Sequence, residues 1–292
     1  MQTDLKNVLV LCAPYGGITA VPMHSLAKMQ AAGATVLMHQ ASADVSLTRC
    51  LQAGEAQNVL HKNLELEWVF WLDADMASDP SAVVTMIQYA EQLRDLQETG
   101  PKLHPSLSGC YMNRHRNPPQ VSAVALKRAE IIELPLKNND GTEHPAAPLI
   151  PALTGLGCFL QSREVFLMHC EESTNFHYDD PDHIVPQVCT SRVIHCSEYA
   201  QFVEVAANQD KWFWLGEDFD YCVRELELGR LVYVAPTVFG HIDSIVLVPD
   251  DRVMFPGLTE PTSAPETRRS TSQQPKPEPQ PEPEPSFIDG ST

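Results

Sequence analysis

Trp68-Val69-Phe70-Trp71-Leu72 runs without interruption into Asp73-Ala74-Asp75. A run of large apolar residues with no polar face is the pattern of a strand covered on both sides by helices, as in a largely parallel sheet. Shortly after the triplet, Asp79 is placed to cap a helix with Pro80 at its first position, and Val83, Met86, Ile87, Ala90 and Leu93 form its apolar stripe. The triplet therefore belongs in the loop at the carboxyl end of a buried strand. Open α/β sheets bind their ligands there.

The rest of the chain repeats this alternation. Val8-Leu9-Val10-Leu11-Cys12-Ala13 is apolar on both faces and stops at Pro14-Tyr15-Gly16-Gly17. A helix over about Val21 to Ala32 ends at Gly33, Thr35-Val36-Leu37-Met38 is a second strand, and Ala41-Ser42-Ala43-Asp44 leads into a second helical stretch. Further on, Leu107 to Met112 and Val121 to Leu126 are expected strands and Asn138-Asn139-Asp140-Gly141 a hairpin turn, whereas Glu171 to Asn208 has no clear periodicity. Gly216-Glu217-Asp218 opens a helix whose core face is Phe219, Cys222, Val223 and Leu226; Gly229 ends it, and Leu231-Val232-Tyr233-Val234 returns as a strand. The expected class is α/β, with a Rossmann-like, mostly parallel central sheet flanked by helices.

Composition bounds the rest. Of 292 residues 43% are hydrophobic, ample for a packed core. From about Pro256 the chain turns to Pro, Glu, Ser, Thr and Gln, so 256–292 is expected to be a disordered tail, either a solubilising terminus or a docking peptide for a partner. The Val8 to Ala13 stretch is far shorter than the roughly 20 residues that span a bilayer, and a soluble, cytoplasmic chain without signal peptide or membrane segment is expected. Eight cysteines without a CxxC pair fit reduced thiols packed as small hydrophobes. A formal net charge of −18 argues against indiscriminate binding to polyanions such as DNA, and leaves only a local basic groove for such a partner.

Two carboxylates one residue apart on a loop leaving a strand can share a hard divalent ion, which would stabilise a diphosphate as a leaving group. Alone, Asp73 and Asp75 are also a common turn motif. Glu217 and Asp218 fall in the first turn of their helix, where the dipole favours ionised carboxylates. Asp218 is the candidate general base, with Glu217 its substitute; the alternative is that both merely favour the helix start. Asp44 is placed either to meet the base or ribose of a nucleotide, with Arg49 assisting, or to cap a helix.

The string from Trp68 to Met76 resembles the metal-binding strand of GT-A glycosyltransferases, both the family 2-like group and the fungal mannan-polymerase type. Three further segments are similar to the family 2-like pattern, in order. Pro14-Tyr15-Gly16-Gly17 resembles the loop that approaches the nucleotide. Thr154-Gly155-Leu156-Gly157-Cys158, followed by Arg163-Glu164-Val165-Phe166, resembles the floor near the sugar. Gly216-Glu217-Asp218, with Gly240-His241-Ile242, resembles the Glu-Asp helix and the closing metal-binding histidine. Together they cover roughly residues 7–243.

The resemblance implies a GT-A domain over 1–255, with a nucleotide-sugar half at about 1–112 and an acceptor half at about 113–255. It implies a hexosyl- or pentosyltransferase moving sugar from a nucleoside diphosphate sugar to a hydroxyl. Pro14, Tyr15, Gly16, Ala74, Gly155 and Gly157 would lie around the donor, and Trp212 and Trp214 would flank the acceptor. Mn2+ or Mg2+ would sit on Asp75 and His241, with Asp73 as a further ligand or on the ribose. The acceptor stays open among glycan, metabolite, protein, lipid-linked glycan and a hydroxymethylated DNA base. A sugar-phosphate nucleotidylyltransferase would need a basic, glycine-rich first loop that 14–17 does not supply, and a non-catalytic nucleotide-sugar-binding module would not need the full set of carboxylates and histidine.

Overall fold

In a computed structural model the described residues are 4–13, 20–39, 44–97, 102–113, 120–127, 129–135, 146–179, 184–204, 211–242 and 246–247. The chain divides into Met1–Pro256 and Gly257–Thr292, and the second unit, with the proline-rich tail, lies wholly outside these residues. So do the expected nucleotide loop 14–17 and the expected turn 138–141.

The first part runs β1 (Val8–Cys12), α1 (Ala20–Ala31), β2 (Thr35–Met38), α2 (Val45–Lys62), β3 (Trp68–Leu72), the short β4 (Met76–Ala77), α3 (Pro80–Asp95) and β5 (Ser106–Cys110). It continues with β6 (Met112–Asn113), β7 (Gln120–Val121), β8 (Ala123–Ala125), β9 (Ile132–Leu134), β10 (Ala147–Thr154), β11 (Cys158–Ser162) and α4 (Arg163–Glu172). The last part comprises β12 (Asn175–His177), β13 (Ile184–Pro186), β14 (Arg192–His195), α5 (Cys196–Phe202), β15 (Trp212–Leu215), α6 (Glu217–Glu227), β16 (Val232–Val238), β17 (Gly240–Ile242) and β18 (Val246–Leu247).

The main sheet has the order β2-β1-β3-β11-β5-β16-β10-β8, with β9 on β10. β1, β2 and β3 run parallel, and β5 and β16 run parallel to each other in the same direction. β11 is inserted antiparallel between β3 and β5, and β10 is antiparallel to each of its partners. A fully buried strand reads the same in either direction, so the sequence pattern could not reveal that reversal. The class is the one expected: a mixed α/β fold with a mostly parallel central sheet flanked by helices.

Strand alternation divides the core. Val8, Val10, Cys12, Trp68, Phe70 and Leu72 pack with α1 and α3 residues such as Met29, Met86 and Tyr89. Leu9, Leu11, Val69 and Trp71 pack on the other face with Leu51 and Ala56 of α2, Phe166 of α4 and Tyr221 of α6. Helix ends follow the local chemistry. Asp79 accepts from Ser81 N at 3.1 Å ahead of Pro80, while Gly33 (φ 98°) and Gly229 (φ 76°) take the left-handed conformation after α1 and α6. The stretch without periodicity holds the two-stranded β12–β13 sheet and β14, which pairs with β15 beyond it, strands of three or four residues that are too short to show a pattern. All eight cysteines are free and buried. Among the described residues no helix is long and apolar enough to cross a membrane.

One buried charged network fixes α6 against α4. Glu225, fully buried, meets His169 Nδ1 and Arg230 Nη2, the latter at 2.9 Å, and Arg230 also reaches Glu172 at 2.9 Å. Burial pushes the Glu225 carboxyl up, but the His169 and Arg230 hydrogen bonds and charges outweigh it and hold its pKa below the ordinary 4.5. A depressed folded pKa means stabilisation that is present above the unfolded pKa and lost as pH falls through the folded one. Thermal unfolding scans should therefore show Tm declining below about pH 4.5, and Glu225→Gln should flatten that decline.

Candidate active site

The backbone brings the triplet to two distant segments. Asp73 N donates to Gly157 O at 2.9 Å, so the start of β11 lies against the end of β3, and Met76 N closes a tight turn on Asp73 O at 3.0 Å. Directly after the triplet, β4 pairs antiparallel with β17, setting Met76 opposite His241 and Ala77 opposite Gly240. The main chain of His241 thus runs beside the triplet; its side chain is outside the described atoms.

Arg49 joins the triplet to α6. Its side chain, 5% exposed, points from α2 into a group of carboxylates. Nη2 lies 3.1 and 3.2 Å from the two Asp73 oxygens, and Nη1 lies 3.9 Å from Glu217 and directly against Asp218 Oδ1. Burial would lower the Arg49 pKa, but Asp73, with help from Glu217, more than reverses that, so the guanidinium stays charged. α2 shows no clean apolar stripe because it also buries Arg49 in this clasp, Thr48 on Asp44 O at 2.9 Å and Gln52 on Leu37 O at 3.3 Å.

α6 is held so that its first turn faces this point. Asp220, fully buried, accepts from Thr190 Oγ1 at 2.6 Å and meets Arg224 at 3.0 Å and Arg192 at 2.6 Å. Arg224 also donates to Thr190 and, at 2.9 Å, to Gln187 O. Glu217 and Asp218 then sit at the positive end of the helix dipole, behind Gly216, which offers no side-chain cap.

The glycines let neighbouring side chains close on the floor. A Cβ on Gly155 would come 1.9 Å from Tyr111 Oη and 3.3 Å from Asp218 Oδ2, and one on Gly157 would come 3.1 Å from Asp73 Oδ2. Asp218 therefore offers one oxygen to Arg49 and turns the other toward Gly155. Tyr111 is 7% exposed and cannot swing away. Gly155→Ala is expected to destabilise the fold by about 1–3 kcal/mol through overpacking. It should lower activity further by displacing Asp218, as thermal scans and turnover assays together would separate. Close by, burial and the charges of Asp73 and Asp75 push the Cys12 thiol up to about 12, so it stays protonated and is no nucleophile.

Beside Glu217 opens a cleft of about 770 Å3, lined on one side by Asp44, Val45, Ser46 and Leu47 and on the other by Phe176 and Trp214. Asp44 caps α2, accepting from Leu47 N at 3.1 Å, and still borders this cleft. Trp212 shares the exposed face of β15 with Trp214 and has the His195 ring beside it at 5.0 Å. Ala74 is half-buried and packs against the core. A hollow of about 510 Å3 at the start of β5 and β16, lined by residues such as Leu93, Leu96, Leu231 and Tyr233, has no carboxylate among its described residues and lies at the opposite ends of the strands.

Among the described residues no three His, Cys, Asp or Glu side chains gather as a metal site, and the Asp73 carboxylate is taken up by Arg49. Asp75, with the His241 backbone next to the turn, suits the hard cations that use one or two carboxylates and complete their shell with phosphate oxygens and water. The carboxylates and glycines were marked by their sequence context. Tyr111 and Asp220 were missed, since one buried tyrosine at a strand end and one acid inside an acidic helix start carry no distinguishing pattern.

No known family's sequence profile matches this chain, and no curated protein matches it. Among solved structures the chain is similar to A197 from STIV, with 13% identity and a TM-score of 0.41 over 85% of this chain and 97% of that one. It is also similar to a glycosyltransferase involved in the glycosylation of the major capsid of PBCV-1, with 9% identity and a TM-score of 0.28 over 55% of this chain and 62% of that one.

Proposed function

We propose that the chain is a glycosyltransferase that moves a sugar from a nucleoside diphosphate donor to a hydroxyl acceptor, with inversion. The observation that carries this reading is the clasp of Arg49 on Asp73 and Asp218, which joins the triplet, the glycine floor and the Glu217-Asp218 helix start at one point. These segments are far apart in sequence, and each has a separate task in glycosyl transfer.

In this mechanism Asp218 Oδ2 accepts the proton of the acceptor hydroxyl as its oxygen forms a bond to the anomeric carbon. The bond from that carbon to the diphosphate breaks, and the diphosphate leaves with the electron pair. Arg49 keeps Asp218 Oδ1 fixed, so the base is oriented before the acceptor arrives. Gly155 and Gly157 let Tyr111 and the Asp73 and Asp218 carboxylates pack against the backbone of the floor, which fixes where those carboxylates stand. Asp75 and His241 would hold Mn2+ or Mg2+, which would supply Lewis-acid neutralisation of the departing diphosphate. The loop 14–16 is assigned to the nucleotide, while Asp44, which caps α2 and borders the cleft beside Glu217, is left to the acceptor side.

Calorimetric titration with a panel of nucleoside diphosphates in the presence of manganese tests the donor half. At least one should bind, and Asp75→Ala should weaken it by about tenfold or more, the scale of one lost charge-assisted contact. Absence of binding across the panel, or indifference to Asp75→Ala, overturns the reading.

A further inference from the structure

We infer that the cleft beside Glu217 receives the acceptor, and that this acceptor is an uncharged carbohydrate whose ring stacks on Trp214. The inference rests on the glycosyltransferase reading and names the substrate class of that same site. Trp214 is 70% exposed on β15, an unusual position for so large an apolar side chain, and contrasts with the buried Trp68 and Trp71. Strand alternation puts Trp212, 68% exposed, on the same face, while Leu215 turns into the core. The partner strand adds Val193 directly opposite Trp214, also exposed. Trp214 and Phe176 line the cleft that begins at Glu217, so an aromatic platform leads up to the carboxylates.

The remaining lining chooses the ligand. Ser46, Ser191 and Gln187 offer hydroxyl and amide groups, Asp44 and Glu217 offer carboxylates, and among the described residues of the cleft there is no Lys or Arg. The cations that border this lining are already paired: Arg49 with Asp73 and Asp218, Arg224 with Asp220, and Arg192 with Asp220 and Glu227. Aromatic faces accept sugars and nucleobases alike, so stacking does not discriminate between them. Charge does: nucleic-acid affinity comes from basic side chains that neutralise phosphates, and here a phosphodiester would meet two carboxylates. A pyranose presents an apolar C–H face to the indole and hydroxyls to acids and amides, which matches this lining.

The test uses the full chain and saturation-transfer NMR with neutral hexasaccharides built of glucose, mannose, galactose or N-acetylglucosamine, each compared with a short single-stranded DNA. At least one saccharide should receive saturation on its ring protons, and Trp214→Ala should weaken it by about tenfold, the scale of losing a tryptophan anchor. Trp214 is exposed, so its removal leaves the fold intact, which circular dichroism checks. Nucleoside diphosphate affinity, measured on the same samples, should not change. If nucleotide binds but every saccharide fails, or if DNA binds and Trp214→Ala leaves the saccharides unaffected, the acceptor inference is wrong while the donor reading stands. Loss of nucleotide binding in the unaltered chain removes the parent reading itself.

Discussion

Arg49→Met is expected to destabilise the chain by about 3 kcal/mol, the lower end of what removing one partner of a buried ion pair costs, because the carboxylates it serves are partly solvated. In a domain of this size that is roughly 6–12 °C in Tm. The reason is electrostatic. Without the guanidinium, Asp73, Glu217 and Asp218 converge with no described cation between them. Protonating those acids relieves the repulsion, so the deficit of the variant relative to the parent should shrink as pH falls toward the carboxylate range. A loss caused only by packing would not respond to pH in that way. Arg49→Lys should recover part of the stability, because it keeps the charge but not the fork that spans two acids. Comparative thermal scans of the three proteins across pH measure each of these differences.

Asp218→Asn is expected to lower kcat by about 10²–10⁴ while leaving nucleotide affinity within about twofold, the signature of a lost general base. The substitution is nearly isosteric. Arg49 keeps Asp73 and Glu217 as partners, so the fold should survive. The shape of the pH profile provides a second readout: the acidic limb set by the base should vanish in the variant. Glu217→Gln should cost far less if Glu217 borders the cleft without taking the proton. Steady-state kinetics with the same donor and acceptor on both variants separate the two roles.

The sequence disclosed the parts of this site that depend on strong local rules. Trp68 to Leu72 is apolar on both faces, and a strand of that kind must be central, which in turn puts Asp73 and Asp75 at its carboxyl end. Asp79-Pro80, Gly33 and Gly229 announced helix ends, because capping and left-handed backbone are local chemistry. Arg49 was associated with a nucleotide, yet its side chain is buried among acids contributed by residues 24 or more positions away. No local pattern encodes such a partnership. Tyr111 acts through two glycines that reach it only after β11 turns antiparallel beside β3. The cleft joins Asp44 and Trp214, which the sequence reading had assigned to donor and acceptor sides separately, because α2 and β15 approach each other only in three dimensions.

The central claim is that these segments form one site for transfer from a nucleotide-sugar. Release of nucleoside diphosphate from a panel of nucleotide-sugars, followed with manganese present and with the neutral saccharides as acceptors, tests it most directly. The account predicts release from at least one donor, accelerated by an acceptor and reduced by about 10² or more in Asp218→Asn. Failure of every donor to turn over in the intact chain, or equal turnover by Asp218→Asn, would contradict it.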